Sequence, residues 1–115
     1  MEPKSWNDYP SEQMNALVSR RCLHTANLTI AQITLSKGAI VPLHDHANEQ
    51  VTSVISGLLL FRMDGREILV KAGEMLAIPS GVPHLVEALE DSIAVDVFAP
   101  RREDWIRGDD SYLRR

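Results

Sequence analysis

Residues 38–57 read GAIVPLHDHANEQVTSVISG, and residues 73–84 read GEMLAIPSGVPH. These two blocks hold three of the four histidines of the chain and are separated by only 15 residues, 58–72. Written as spacings, they are Gly38-x5-His44-x-His46-x3-Gln50-x6-Gly57 and Gly73-x5-Pro79-x-Gly81-x2-His84. Glycine and proline at fixed distances from histidine indicate turns that hold the imidazoles in defined positions.

Short strands surround these blocks. Asp64-Gly65 lies between two apolar runs and predicts a tight hairpin, since a type I′ turn needs φ > 0 at both central residues. Seven runs are rich in β-branched and other apolar residues: 28–36, 50–56, 58–63, 67–70, 75–78, 84–89 and 93–98. An earlier strand that contains Cys22 is expected before them. About eight short strands, each ended by turn residues and uninterrupted by a long amphipathic helix, predict an all-β sandwich or barrel.

Length and composition exclude several classes of protein. A chain of 115 residues is sufficient for one domain, and its single cysteine excludes an intrachain disulfide. The net charge of −4 argues against binding to nucleic acid. No apolar run approaches the ~18 residues that span a bilayer, and the polar N-terminus lacks the apolar segment of a secretory signal. We therefore expect a cytoplasmic protein with no nucleic-acid or membrane partner.

Three segments are expected along the chain. Residues 1–13 contain two prolines among polar residues and predict an N-terminal extension, which Trp6 and Tyr9 attach to the body or to a second subunit. Residues 14–100 form the barrel. Residues 101–115 are charged and form a short helix followed by a tail, with the helix over 103–107 and Gly108 at its end.

The His44-x-His46 pair is a candidate for metal binding. Residues i and i+2 of a strand point to the same face, so both imidazoles can reach one ion. Such a pair also occurs without a metal, and only the surrounding pattern of glycine, proline and His84 distinguishes the two interpretations. The fourth histidine, His24, has no partner in either block and is interpreted as a surface or packing residue.

The two spaced blocks resemble the paired motifs of the cupin family, and the resemblance covers roughly residues 28–99. It implies an all-β cupin jelly-roll β-barrel, here followed by the short C-terminal helix. The first motif usually carries glutamate where this chain has Gln50, and the second usually ends in asparagine where this chain has Ala88. By strand parity Gln50 shares the face of the histidine pair, whereas the neighbouring Glu49 points away unless a bulge intervenes.

The resemblance implies one divalent transition metal held by His44, His46, Gln50 and His84. All four ligands are neutral, so the +2 charge is not compensated. This favours polarisation of a bound carboxylate or enolate oxygen over oxygen chemistry, although cupin oxygenases with three histidine ligands keep that alternative open. Ni, Zn, Mn, Fe and Co all remain candidates.

The last predicted strand has two different faces. Ile93, Val95 and Val97 form one face, and Ala94, Asp96 and Phe98 form the other. The residues alone leave two arrangements open. Either the aliphatic face is the core and Asp96 is solvated, or the face with Asp96 and Phe98 lines the barrel interior.

The segment Asp96-x-Phe98-x-Pro100-x-Arg102, followed by Glu103-Asp104-Trp105, narrows the resemblance. Together with Gln50, it is similar to the KdgF group of pectin and alginate degradation cupins. That group converts 4,5-unsaturated monouronates to linear keto forms. The resemblance implies that Asp96 is the catalytic residue and that Phe98 and Arg102 contact the substrate. Without it, Phe98 could equally fill the core and Arg102 could be a surface charge.

Two other functions stay open on the sequence: a cupin dioxygenase acting on a small molecule, and a non-catalytic cupin that binds a sugar. Oxygen uptake and a redox metal would identify the dioxygenase. Binding of a sugar without turnover would identify the non-catalytic cupin. We also expect a homodimer, because small barrels leave sheet edges exposed and such edges invite pairing. The resemblance implies that the small-molecule partner is a carbohydrate acid.

Overall fold

The computed structural model describes all 115 residues, and β-strands dominate it. The strands are β1 (Glu12–Gln13), β2 (Val18–His24), β3 (Thr29–Leu35), β4 (Ile40–His44), β5 (Glu49–Ser56), β6 (Leu58–Met63), β7 (Arg66–Lys71), β8 (Met75–Ile78), β9 (His84–Ala88) and β10 (Ser92–Ala99). The single α-helix, α1, spans Glu103–Ile106, and two 3-10 helices span Trp6–Asp8 and Ser111–Arg114. No helix is long and apolar enough to cross a membrane.

The strands form two antiparallel sheets. One sheet has six strands in the order β1-β2-β3-β10-β5-β8, and the other has four in the order β4-β9-β6-β7. Every pairing is antiparallel, and non-consecutive strands lie side by side in both sheets. This arrangement confirms the expected all-β jelly-roll with a short C-terminal helix.

The two sheets enclose an aliphatic core. On β3, buried residues alternate with more exposed ones, so Ala31, Ile33 and Leu35 point inward. The alternation on β3 is the pattern of a strand with one face against a core. On β6, Leu59, Phe61 and Met63 belong to the same core from the opposite sheet, and Leu60 is buried as well.

The predicted hairpin at Asp64-Gly65 is confirmed. β6 pairs with β7 in register from Leu58 to Met63, and both turn residues have positive φ, 53° at Asp64 and 69° at Gly65. Positive φ at both central residues is the feature that makes the Asp-Gly pair suitable for this turn. The hairpin forms one edge of the four-stranded sheet.

The two ends of the chain both lie against the barrel. At the N-terminus, Arg21 of β2 donates Nη1 hydrogen bonds to the carbonyl oxygens of Trp6 and Tyr9, so the extension is attached to its own barrel. It contains a 3-10 turn capped by Ser5, which the sequence analysis did not anticipate. At the C-terminus, α1 ends one residue before the predicted limit, and Gly108 adopts the expected positive φ of 81°.

Candidate metal centre and cavity

Three imidazoles converge between the two sheets. His44 is the last residue of β4 and lies directly opposite His84, the first residue of β9, in the antiparallel register. His46 lies beyond the end of β4, in the segment that leads into β5. One ring nitrogen from each of the three histidines lies within 4.8 Å of the others. The histidine pair therefore converges through a strand end and the following loop, not through two positions of one strand as predicted.

Backbone carbonyls orient all three rings. His44 Nδ1 donates to the Pro42 carbonyl at 2.7 Å, His46 Nδ1 to Asn48 at 2.9 Å and His84 Nδ1 to Val82 at 2.9 Å. A hydrogen bond from Nδ1 places the proton there and leaves Nε2 with a free lone pair. Each imidazole is thus presented as a neutral Nε2 ligand.

Burial maintains that neutral state. It lowers the pKa of His44 to about 4 and also lowers the pKa values of His46 and His84. The positive charge of Arg102 acts in the same direction on all three rings. At neutral pH the imidazoles are therefore uncharged, which is the form that binds a metal.

The cluster contains polar atoms that lack a hydrogen-bond donor. Nε2 of His84 is buried and has no hydrogen-bond partner. The Gln50 amide oxygen lies 3.0 Å from Nε2 of His46, so two atoms with free lone pairs face each other. A metal ion accommodates such a set, because it accepts lone pairs from imidazoles and from an amide oxygen together. The four predicted ligands therefore fit a divalent transition metal.

Thr52 determines which end of the Gln50 amide faces the histidines. The Gln50 amide nitrogen donates to Thr52 Oγ at 2.9 Å, which turns the amide oxygen toward His46. Gln50 and Thr52 are both buried and lie two positions apart on β5. Glu49 is exposed, so the expectation that Gln50 and not Glu49 faces the cluster agrees with the structure.

The last strand turns its polar face inward. Ala94, Asp96 and Phe98 of β10 line the cavity beside the histidine cluster. Of the two arrangements left open by the sequence, the structure therefore has the one with Asp96 in the barrel interior. Asp96 lies opposite Thr52 in the β5–β10 register, and its Oδ1 is buried without a hydrogen-bond partner.

Burial raises the pKa of Asp96 to about 6, although the Thr52 hydroxyl and Arg102 both act to lower it. A carboxyl group with such a pKa exchanges a proton readily near neutral pH. It is the only carboxylate among the residues that line the cavity. The cavity therefore combines one buried carboxyl group with candidate metal ligands.

Arg102 reaches the cavity from the segment after β10 and is only 1% exposed. Its Nε and Nη2 form a two-point ion pair with Asp104 at 2.9 and 2.8 Å. The guanidinium also lies 4.7 Å from the centre of the Phe98 ring and 4.3 Å from that of Trp105. Arg102 is thus a buried, rigidly held cation and not a surface charge.

The C-terminal segment completes the cavity with residues that the sequence analysis did not identify. Trp105, Tyr112 and Leu113 line it, and the Tyr112 ring stacks on His44 with a centroid distance of 4.5 Å. These residues belong to no spaced motif. The only signal in the sequence was that they are aromatic or apolar residues within a charged tail. His24 remains apart from the cluster and contacts Thr29.

The sequence model of the cupin domain family matches residues 31–99, which is more than half of the chain. Together with the jelly-roll and the histidine cluster, this match shows that the protein belongs to the cupin family. Within that family it is a KdgF-like cupin, as two similarities to KdgF proteins indicate.

The chain is 25% identical to the pectin degradation protein KdgF of Dickeya dadantii, over 87% of this chain and 94% of that protein. The structure of KdgF from Halomonas sp. superimposes with a TM-score of 0.80 at 25% identity, covering 86% of this chain and 93% of that one. An oxalate-binding protein of Thermotoga maritima is 29% identical over 65% of this chain, and the match spans only 63% of that relative.

Proposed function

We propose that this cupin is a metal-dependent enzyme that converts 4,5-unsaturated monouronates, released by pectin or alginate breakdown, into linear keto forms. The observation that carries the proposal is the shared cavity: Asp96, Phe98 and Arg102 line it together with His44 and His84 of the imidazole cluster. The similarity to KdgF over most of both chains supports the same assignment.

The proposed reaction is an isomerisation and needs no co-substrate. Asp96, as carboxylate, takes the proton of the hydroxyl at C1 of the sugar. The bond between C1 and the ring oxygen breaks, C1 becomes an aldehyde, and the electron pair goes to the ring oxygen. Protonation of C4 by Asp96 then converts the resulting enolate into a ketone at C5 and restores the carboxylate.

The metal, held by His44, His46, Gln50 and His84, would act as a Lewis acid toward the oxygen on which negative charge develops. Because no ligand of this set is anionic, the metal would keep its full +2 charge for interaction with the substrate. Thr52 keeps the Gln50 amide oxygen turned toward the ligand cluster.

Phe98 and Arg102 fit the two ends of a uronate. The Phe98 ring forms an apolar wall next to the carboxyl of Asp96, two positions away on the same strand face. Arg102 supplies a fixed positive charge for the sugar carboxylate. A buried guanidinium loses little conformational freedom on binding, so its orientation is available before the substrate arrives.

The direct test uses an unsaturated monouronate prepared with a polysaccharide lyase. We expect the protein to accelerate the loss of ultraviolet absorbance from the conjugated double bond. Removal of the metal with a chelator should abolish the acceleration, and returning a divalent metal should restore it. The proposal would be refuted if the absorbance decayed no faster with the metal-loaded protein than in a blank without protein.

A non-catalytic carboxylate-binding function is the second candidate. The match to a protein named for oxalate binding favours it, although that match covers only part of both chains. Calorimetric binding of the uronate or of oxalate without any loss of absorbance would identify this function. Oxygen uptake with a redox metal bound would instead identify a dioxygenase.

A further inference from the structure

Tyr112 occupies a position at the cavity that the reaction scheme does not yet use. Its ring stacks on the His44 imidazole, with a centroid distance of 4.5 Å and an interplanar angle of 26°. The residue is half-buried and lines the cavity together with Arg102. It belongs to the C-terminal 3-10 helix, outside residues 31–99 that match the cupin family.

The hydroxyl of Tyr112 receives two hydrogen bonds. Arg102 Nη2 donates to it at 2.9 Å and Trp105 Nε1 donates at 3.2 Å. Neither a guanidinium nor an indole nitrogen can accept a proton in return. The proton of the Tyr112 hydroxyl therefore has no acceptor in the chain and remains available to a group in the cavity.

Arg102 contributes a second available donor. Its Nε and Nη2 are used by Asp104 and Tyr112, whereas Nη1 makes no hydrogen bond within the chain. The cavity wall thus presents one N–H group and one O–H group that are joined by a hydrogen bond between their side chains. Two adjacent donors suit the two oxygens of a carboxylate, and bonds to a charged acceptor are the stronger kind.

The surrounding contacts hold this pair in place. Asp110, which is buried, pairs with Arg20 of β2 and with Arg114. Asn15 donates its side-chain amide to the carbonyl oxygens of Leu113 and Arg115. Both sets of bonds attach the C-terminal segment to the barrel on either side of Tyr112, so the hydroxyl is positioned before any ligand binds.

We propose that Tyr112 is a ligand-binding residue whose hydroxyl, together with Arg102, donates to the carboxylate of the bound molecule. The C-terminal segment thereby selects acidic ligands over neutral ones. The inference rests on the proposed function only for the identity of the uronate, since the donor pair itself requires no more than a carboxylate.

The test compares Tyr112→Phe with Tyr9→Phe, the same chemical change at the only other tyrosine, which lies in the N-terminal extension. Binding of galacturonate, a saturated uronate, and of galactose, its neutral counterpart, is measured by calorimetry on the metal-loaded proteins. We expect Tyr112→Phe to weaken galacturonate binding roughly 10- to 100-fold, as for loss of a hydrogen bond to a charged group. Galactose binding, metal content and melting temperature should stay near wild type, and Tyr9→Phe should match wild type throughout.

Two results would overturn the inference. One is a wild-type protein without preference for galacturonate over galactose. The other is a Tyr112→Phe protein that binds galacturonate as wild type does, or that loses affinity for both sugars equally, which would show that the hydroxyl does not act through the carboxylate.

The same variants separate this inference from the proposed function. In the absorbance assay, Tyr112→Phe should raise KM for the unsaturated uronate with little change in kcat. If Tyr112→Phe loses affinity for galacturonate and the wild-type protein does not turn over the unsaturated uronate, the role of Tyr112 is supported and the proposed enzymatic function is refuted. If Tyr112→Phe turns over the unsaturated uronate with an unchanged KM, the proposed enzymatic function is supported and the role of Tyr112 is refuted.

Discussion

At the scale of single residues, the chemistry of the cavity depends on how each side chain is held by its neighbours. Carbonyl oxygens of Pro42, Asn48 and Val82 place the ring protons of the histidines, and Thr52 orients Gln50. Loss of such a supporting contact typically costs roughly 10- to 100-fold in metal affinity or activity. The ligand cluster and its backbone supports therefore act as one unit.

The first prediction concerns the metal. We expect the His44→Ala, His84→Ala double variant to fold and to purify with much less metal than wild type, because two of the four ligands are gone. Metal content is measured by elemental analysis, and folding by circular dichroism. A His24→Ala variant is the matched control, since His24 lies outside the cluster. Full metal occupancy in the double variant would contradict the ligand assignment.

Replacement of Asp96 should separate turnover from metal binding. Asp96→Asn keeps the shape of the side chain and removes its proton-transfer capacity, so we expect kcat on the unsaturated uronate to fall by ~10²–10⁴-fold. Metal content should remain near that of wild type, because Asp96 is not part of the ligand cluster. Loss of metal would instead make Asp96 a ligand or a support for one, and undiminished activity would remove its catalytic role.

The raised pKa of Asp96 also predicts a pH-dependent cost to stability. Its pKa is raised from 3.8 to about 6 in the folded protein, so the stability present below pH ~4 is lost as the pH rises through ~6. With metal removed by a chelator, Asp96→Asn should be more stable than wild type by about 3 kcal/mol at pH ~8. The difference should vanish near pH ~4. Urea unfolding at both pH values measures it, and a difference independent of pH would contradict the prediction.

The sequence predicted these residues with unequal success for a physical reason. The ligand cluster and Asp96 lie on or next to strands, where glycine-bounded spacing and alternation restrict where a side chain points. Tyr112 reaches the cavity only because the tail folds back and Asp110 pairs with Arg20. A contact of that kind depends on tertiary structure over 90 residues of separation and leaves no local pattern.

At the scale of elements, turns set the register of the barrel. The Asp64-Gly65 hairpin and the strands around it were predictable because both turn chemistry and apolar alternation are local. The structure has ten strands where about eight were expected. The two-residue strand β1 carries too short a pattern to be recognised, and Pro42 obscures the pattern of β4.

Gly57, between β5 and β6, connects the two sheets at a point of close approach. Its φ is +90°, and an added Cβ would overlap Ser92 Oγ and the Asp91 carbonyl oxygen. Ser92 Oγ also accepts a hydrogen bond from the Leu58 amide at 3.0 Å, so it cannot move without loss. The absence of a side chain is therefore required here for both conformation and space.

We expect Gly57→Ala to lower the free energy of unfolding by about 3 kcal/mol or more, from backbone strain together with overlap. Gly38→Ala is the matched control, since Gly38 has the same φ of +90° with no atom near the added Cβ. Strain alone should cost it about 1–2 kcal/mol. Urea unfolding measures both variants, and equal losses would show that the close approach to Ser92 is unimportant.

At the scale of the whole molecule, the outer face of the six-stranded sheet is notably apolar. The inward position of Asp96 directs its neighbours Ile93, Val95 and Val97 outward. Further along the same sheet, Ile55 is 56% exposed and Met75 is 71% exposed. Large apolar side chains exposed together on one sheet face are typical of a face that pairs with another protein.

We predict that the protein is a homodimer that pairs through this outer face. The sequence left open whether the N-terminal extension attaches to its own barrel or to a second subunit. Because Arg21 of the same barrel binds it, the sheet face is the better candidate for the dimer interface. An Ile55→Lys, Met75→Lys double variant should therefore be monomeric, because two desolvated charges oppose association.

Sedimentation equilibrium at micromolar concentration measures the mass of each protein. Leu69→Lys is the control, since Leu69 is 52% exposed on the four-stranded sheet and lies outside the proposed interface. Leu69→Lys should sediment as a dimer, as the wild-type protein does, while the double variant sediments as a monomer. A wild-type monomer would refute the dimer, whereas a dimeric double variant together with a monomeric Leu69→Lys would move the interface to the opposite sheet.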